Sequence, residues 1–154
     1  MGSENVYKRQ VQGCRIESKI CTTRECYLSL SLNPITGLVD ILVSPAGGVE
    51  IESSVSKGGA LRRASALPDS TAIVTAGTPL LNALEADKQT LATVLERLAD
   101  AFLELEALLV EINPLFILPD QSCLLGDAKV ILDANAFTRQ PHLERFLVDR
   151  VIDY

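Results

Sequence analysis

The sequence predicts an α+β fold, an antiparallel sheet with helices packed on one face. Three observations carry this: an early meander of alternating runs, one long stretch of helical periodicity, and a later hairpin followed by a second helical stretch. Residues 14–20 (Cys-Arg-Ile-Glu-Ser-Lys-Ile) and 26–32 (Cys-Tyr-Leu-Ser-Leu-Ser-Leu) alternate as strands with one buried face, the second more cleanly. Asn33-Pro34-Ile35-Thr36-Gly37 is a turn by its chemistry, since Pro34 presets φ and Gly37 tolerates a positive one. Residues 38–43 therefore return as an antiparallel strand. Pro45-Ala46-Gly47-Gly48 breaks the meander, and Val49-Glu50-Ile51-Glu52 alternates briefly before a Ser- and Gly-rich stretch over 53–59.

Residues 60–80 carry the weakest pattern, with a turn at Leu67-Pro68-Asp69-Ser70 and a candidate short strand over 72–74, and their structure is left open. From Asp87 the signal clears. Leu91, Val94, Leu95, Leu98, Phe102, Leu105 and Leu109 recur at three- and four-residue spacing, with Glu96, Arg97, Asp100 and Glu104 on other faces. That predicts an amphipathic helix of about five or six turns, capped by the Asp87 carboxylate. Residues 110–118 and 123–132 then read as two strands joined at Pro119-Asp120-Gln121-Ser122, and 141–150 as a closing helix.

A chain of 154 residues, 47% hydrophobic and 22% charged, suits one core, and we expect a single domain over 11–154. Residues 1–10 read as a tag or disordered leader without functional weight. A formal charge of -6 gives no basic stripe for nucleic acid or for an anionic membrane, and no apolar run approaches the roughly 20 residues of a membrane span. Cys14, Cys21, Cys26 and Cys123 form no metal-binding spacing and read as reduced thiols. With no secretory leader in view, the expected location is the cytoplasm.

The chemistry concentrates in Val110-Glu111-Ile112-Asn113-Pro114-Leu115, Gly126-Asp127-Ala128-Lys129 and Asp133-Ala134-Asn135-Ala136. On an extended strand Glu111 and Asn113 share a face, and Val110 and Ile112 point to the core. If the hairpin sets Asn113 opposite Asp127, three oxygen-bearing side chains converge. That register needs an odd number of loop residues, because a two-residue turn at Asp120-Gln121 would pair Asn113 with Ala128 instead. Mg²⁺ takes hard oxygen ligands, few from protein and the rest from water and phosphate, which one amide and one or two carboxylates suit. Solvated acids on an ordinary hairpin fit the spacing equally well. Lys129 would share the face of Asp127, either answering phosphate charge or pairing with Glu111. Gly47-Gly48 would let backbone N–H groups approach a phosphate, although alone the pair reads more readily as a turn.

Glu111-Ile112-Asn113-Pro114-Leu115, Asp127-Ala128-Lys129 and residues 133–141 (Asp-Ala-Asn-Ala-Phe-Thr-Arg-Gln-Pro) resemble, in order and spacing, the ATP-grasp region of the succinyl-CoA synthetase β-subunit family. Tyr27-Leu28-Ser29-Leu30 and residues 44–52 are similar to a strand and glycine loop of the same family. The resemblance runs from about Arg15 to Pro141 and covers the second part of the domain, the C-terminal lobe of an ATP-grasp fold. It implies a ligase that forms a coenzyme A thioester from a carboxylic acid, using ATP or GTP with Mg²⁺, through an acyl phosphate and a phosphohistidine. The histidine belongs to a partner α-subunit or α-like domain, and coenzyme A and the acid bind mainly elsewhere.

By motif, Asn113 and Asp127 match the Mg²⁺ ligands, and Glu111 the acid that meets the phosphohistidine loop. Glu17 and Glu25 fall at the nucleotide hinge and ribose contacts. Gly47 and Gly48 could approach either a phosphate or the partner's histidine loop, and Lys129 keeps its two readings, phosphate or Glu111, level. Asn135 and Arg139 read as loop tethers. His142, the sole histidine, sits in no matching motif and is not the phosphohistidine. Nothing before Arg15 matches the family's lysine- and glycine-bearing lobe, so the expectation is an incomplete site, inactive alone. The alternative is a noncatalytic interaction domain that docks an α-like partner.

Overall fold

The computed structural model describes residues 16, 18–48 and 61–143. Strand β1 (Arg24–Leu32) sends Cys26, Leu28 and Leu30, all fully buried, to one face, and Tyr27 and Ser29 to the other. The turn after it closes by side-chain chemistry. Asn33 Oδ1 accepts from the amides of Ile35 and Thr36, and Gly37 takes φ 69°. Strand β2 (Val39–Ser44) then returns antiparallel, with Leu28 beside Val43 and Leu30 beside Ile41. Outside β2 lies β3 (Arg62–Ala66), and along the other edge of β1 lies the long β4 (Ala107–Ile117). Both β5 (Cys123–Leu125) and β6 (Ala128–Leu132) pair with the far edge of β4, one after the other.

Two helices cover one face of this sheet. Helix α1 (Ser70–Leu81) contributes Ile73, Gly77 and Leu81 to the core, and α2 (Lys88–Glu104) contributes Leu91, Leu95, Leu98, Ala99 and Phe102. They meet Leu28, Leu30, Ile41, Val43, Ile112 and Leu115 in one cluster. Each large aliphatic side chain fully removed from water there contributes about 1.5–3 kcal/mol. Gly77 marks the closest approach: a Cβ on it would lie 2.8 Å from Leu95 and 3.4 Å from Ile41, so α1, α2 and β2 converge on a position without a side chain. Asp69 caps α1 by accepting from the Ala72 amide, and Asp87 caps α2 by accepting from Thr90.

The expected α+β layer with helices on one face is what the chain forms, with several boundaries moved. Residues 16 and 18–20 lie in no strand, and β1 begins only at Arg24. The candidate short strand over 72–74 is helix, because the Asp69 cap and the buried row Ile73, Gly77, Leu81 outweigh the β-propensity of Ile73 and Val74. Helix α2 stops at Glu104, since Glu106 turns to φ 49°, and Leu109 belongs to β4. The run from Cys123 to Leu132 is broken into two strands at Gly126 and Asp127. The alternating segment at 49–52, Glu17 and most of the closing helix lie outside the described residues. No helix among the described residues is long and apolar enough to cross a membrane.

The face away from the helices is also largely dry near β1 and β2, where Ser29, Asp40 and Ser44 are buried. Asp40 compensates its burial by accepting from Ser65 Oγ at 2.6 Å, Arg63 Nη2 at 2.6 Å and Asn33 Nδ2 at 3.3 Å. These bonds, that from Ser65 foremost, hold its carboxyl below the ordinary 3.8. A lowered folded-state pKa gives stability that is complete above the unfolded value and vanishes as pH falls through the folded one. Asp40→Ala should therefore cost about 1–3 kcal/mol in urea unfolding at pH 7. That difference should shrink once pH drops below about 4, and a cost that stays constant down to pH 2.5 would contradict this account.

Candidate functional site

The site is organised by a change of phase in β4. Val110 and Ile112 face the core, and so do Leu115 and Ile117, so the alternation skips one residue between 112 and 115. On the β1 edge Leu28 pairs with Ile112 but Cys26 pairs with Leu115, which leaves Tyr27 alone opposite both Asn113 and Pro114. This is a β-bulge, two residues facing one. The peptide bond between Asn113 and Pro114 is cis.

On the other edge the register is the one that brings the acids together. Leu115 pairs with Leu125 and Ile112 with Ala128, so Asn113 lies opposite Asp127, and its amide donates to the Asp127 carbonyl at 3.1 Å. The hairpin achieves this with an odd loop of Pro119, Asp120 and Gln121, closed by the Leu118 amide donating to the Ser122 carbonyl. Gln121 takes φ 67° there. Gly126 packs closely at this joint: a Cβ would lie 2.4 Å from the Phe116 ring and 3.0 Å from Pro114, so the ring would have to shift to admit one.

The glycine loop after β2 reaches the same place from the other side. Gly47 donates its N–H to the Glu25 carbonyl at 2.8 Å, and lies so close to β1 that a Cβ would sit 2.2 Å from the Cys26 carbonyl oxygen. Gly48, at φ 67°, donates its N–H to Asn113 Oδ1 at 2.5 Å and accepts from Asn113 Nδ2 at 3.4 Å. The Asn113 amide thus clasps the peptide of Gly48. Glu25 flanks the clasp, its Oε2 3.0 Å from where a Gly48 Cβ would stand.

Glu111, half-buried, pairs with Ser29 on one edge and Lys129 on the other. Its Oε2 accepts from the Tyr27 hydroxyl at 3.0 Å. Burial raises the Tyr27 pKa above its ordinary 10.0, and the neighbouring Glu111 charge adds to that. Asp127 is exposed and accepts locally from the Ala128 amide at 2.9 Å. Lys129 is exposed, and among the described residues the ion pairs are Arg24–Glu85, Arg63–Asp40 and Arg139–Glu106, so it belongs to none.

Of the residues expected from sequence, the structure thus gathers Glu111, Asn113, Asp127, Lys129, Gly47, Gly48 and Glu25 along one side of β1, β4 and β6. Glu17 lies outside the described residues. Asn135 and Arg139 are remote from this group. Asp133 accepts from Asn135, and Arg139 pairs with Glu106 at the end of α2, which ties residues 134–139 to the helix. Among the described residues no three His, Cys, Asp or Glu side chains gather as a metal cage. A cation here would rest on Asn113 and Asp127 with ligands from outside the chain, the arrangement that Mg²⁺ favours. Sequence reasoning passed over Tyr27, whose signal was an aromatic ring on the polar phase of β1 between Glu25 and Ser29.

Residues 5–117 match the ATP-grasp domain family. The succinate–CoA ligase [ADP-forming] subunit beta of Bacteroides fragilis is 34% identical over 127 residues, covering 79% of this chain and 33% of that protein. The ADP-forming sulfoacetate-CoA ligase subunit SauC of Bilophila wadsworthia is 31% identical over 142 residues, 82% of this chain and 35% of that protein. The succinate–CoA ligase [ADP-forming] subunit beta of Pasteurella multocida is 31% identical over 137 residues, 84% and 34% respectively. The chain spans about a third of the length of the curated relatives it matches.

The close approach at Gly47 and the open turn at Gly37 make a paired prediction. Gly47→Ala must push the loop off the Cys26 backbone and should destabilise by about 1–3 kcal/mol. Gly37 has no atom within 4 Å of its would-be Cβ. Gly37→Ala should cost only the left-handed backbone, about 1 kcal/mol. Urea midpoints measured side by side check this, and equal losses at the two positions would remove the steric argument for Gly47.

Proposed function

This chain belongs to the ATP-grasp domain family, and from that premise we propose that it is the nucleotide- and Mg²⁺-binding lobe of an acyl-CoA ligase β-subunit. Residues 11–154 form that lobe as one unit. The observation that carries this reading is the register that sets Asn113 opposite Asp127, with Glu111 on the same strand and the Gly47-Gly48 loop alongside. The names of the relatives supply the reaction class: a nucleotide is converted to its diphosphate as an acid is joined to coenzyme A. The cytoplasm, where such soluble metabolites are held, is the location that goes with it.

The donor set fits Mg²⁺ on its own chemistry. The side-chain amide oxygen of Asn113 has two lone pairs, one already engaged by the Gly48 N–H, and among the described residues only one oxygen of Asp127 is engaged, by Ala128. When bound, the cation would neutralise charge on the nucleotide phosphates. The chain's own residues supply the remainder. Lys129 offers a second positive charge next to Asp127, and Glu25 and Glu17 would contact the nucleoside end. Glu111 would accept a hydrogen bond from an imidazole presented by an α-like partner, so its carboxylate must stay aimed. The nucleotide is shared with a facing lobe, and the acid and coenzyme A are held by other parts of the ligase.

One observation favours a noncatalytic docking domain instead: the Asn113 amide already has structural work in holding Gly48. Isothermal titration separates the steps. The chain alone should bind Mg²⁺-ATP and Mg²⁺-GTP no tighter than about millimolar, and micromolar affinity would contradict a shared site. In the assembled ligase, Asn113→Ala or Asp127→Ala should lower turnover by on the order of a hundredfold or more. An assembled enzyme indifferent to both changes would overturn the metal assignment and leave the docking domain.

A further inference from the structure

We infer that Tyr27 is a positioning residue for Glu111: its hydroxyl donates to the Glu111 carboxylate and fixes the place of that acid. This rests on the reading of Glu111 as the working acid of the proposed site. The geometry is specific. Ser29 stands directly opposite Glu111 across the β1–β4 pair, and Tyr27, two residues along on the same face, reaches it diagonally. Only 9% of Tyr27 remains exposed, so its ring is held and its hydroxyl needs a partner inside the protein. The partner it has is a carboxylate oxygen rather than a backbone carbonyl.

The chemistry of that choice matters. A phenol donates a hydrogen bond without cancelling the charge of the acid, whereas a lysine in its place would neutralise it. Lys129, the cross-strand neighbour on the other edge, makes no ion pair with Glu111. One oxygen of Glu111 is thus fixed by Tyr27, and among the described residues nothing engages the other. The bulge adds a second reason for a rigid aromatic ring. Tyr27 is the single β1 residue opposite Asn113 and Pro114, so one side chain sets both the acid and the strand segment bearing the amide. The charged groups sharing this face with Tyr27 are Glu25 on β1, Glu111 on β4, and Asp127 and Lys129 beyond it, with the Asp40–Arg63 pair farther out on β2 and β3; Ser29 on β1 and Ser44 on β2 are its polar neighbours.

A ring that merely fills space would work as well without its hydroxyl, and two measurements separate that role from positioning. The chain has 3 tyrosines and no tryptophan, so ¹³C-tyrosine NMR resolves each ionisation, with Tyr27→Phe assigning the signal. Glu111→Gln should lower the midpoint of Tyr27, and an unmoved midpoint overturns the coupling. This arm uses the Tyr27 protein, so it stands even if Tyr27→Phe folds poorly. In the assembled ligase, Tyr27→Phe should reduce kcat about tenfold with the nucleotide KM unchanged. It should cause no further loss when combined with Glu111→Gln. An equal loss in both backgrounds would mean that Tyr27 acts through something else and overturns the inference. An enzyme untouched by Glu111→Gln overturns the role of the acid, and with it the part of Tyr27 in turnover, while the NMR coupling persists.

Discussion

Everything around the candidate site depends on the extra residue in β4. A strand flips every following side chain when one residue is added, so a core face that includes both Ile112 and Leu115 requires an insertion between them. The sheet absorbs it differently on each edge. Toward β1, a single residue, Tyr27, faces the pair Asn113-Pro114; toward the hairpin, a matching pair, Gly126-Asp127, faces it. The hairpin therefore keeps one register from Leu109 to Ile117 but is split into β5 and β6 at the same level. This level is where the helix-covered core and the polar face exchange phase, and where Glu111, Asn113 and Asp127 come within one neighbourhood.

The bulge also decides which contacts the polar face can make. Gly47 presses on the Cys26 backbone, on the β1 stretch next to Tyr27, and this close approach delivers Gly48 to the Asn113 amide. Burial on this face is tolerated because its polar groups are answered in pairs: Tyr27 by Glu111, Asp40 by Ser65, Arg63 and Asn33. On the core side the same stretch of β1 holds Cys26, whose thiol burial pushes up to about 11, a group suited to packing and not to reaction. The two faces of β1 thus divide labour at adjacent residues.

The parts legible in the sequence were those set by local chemistry or by parity. Asp87 as a helix cap and the Asn33–Gly37 turn follow from a few neighbouring residues, and parity states which loop would pair Asn113 with Asp127, although only the Leu118–Ser122 bond shows that the loop is odd. What was illegible depended on distant packing. Arg62, Arg63 and Ser65 give β3 no apolar alternation, yet Ala64 and Ala66 suffice for an edge strand beside β2. Helix α1 is rich in Thr, Ile and Val, residues at home in strands, and its identity comes from Asp69 and from the contact of Gly77 with Leu95. The break at Gly126 and the grouping around Tyr27 come from the bulge, which no periodicity announces, because a skipped phase looks like the end of one strand and the start of another.

The residues of the motif are not equally informative about chemistry. Asn113 has a structural reason to be an amide: its oxygen takes the Gly48 N–H and its nitrogen meets the Gly48 carbonyl. An aspartate there would keep the first contact and turn the second into repulsion between two oxygens. An asparagine therefore serves the fold whether or not a cation is bound. Asp127 is different. It is exposed, among the described residues its side chain bonds only to the amide of the next residue, and its backbone carbonyl, not its carboxylate, holds the register with Asn113. Many residues can sit at an exposed position whose pairing is made by the main chain. A carboxylate at that position does little for the fold, so the proposed metal site rests more on Asp127, the less conspicuous member of the pair, than on Asn113.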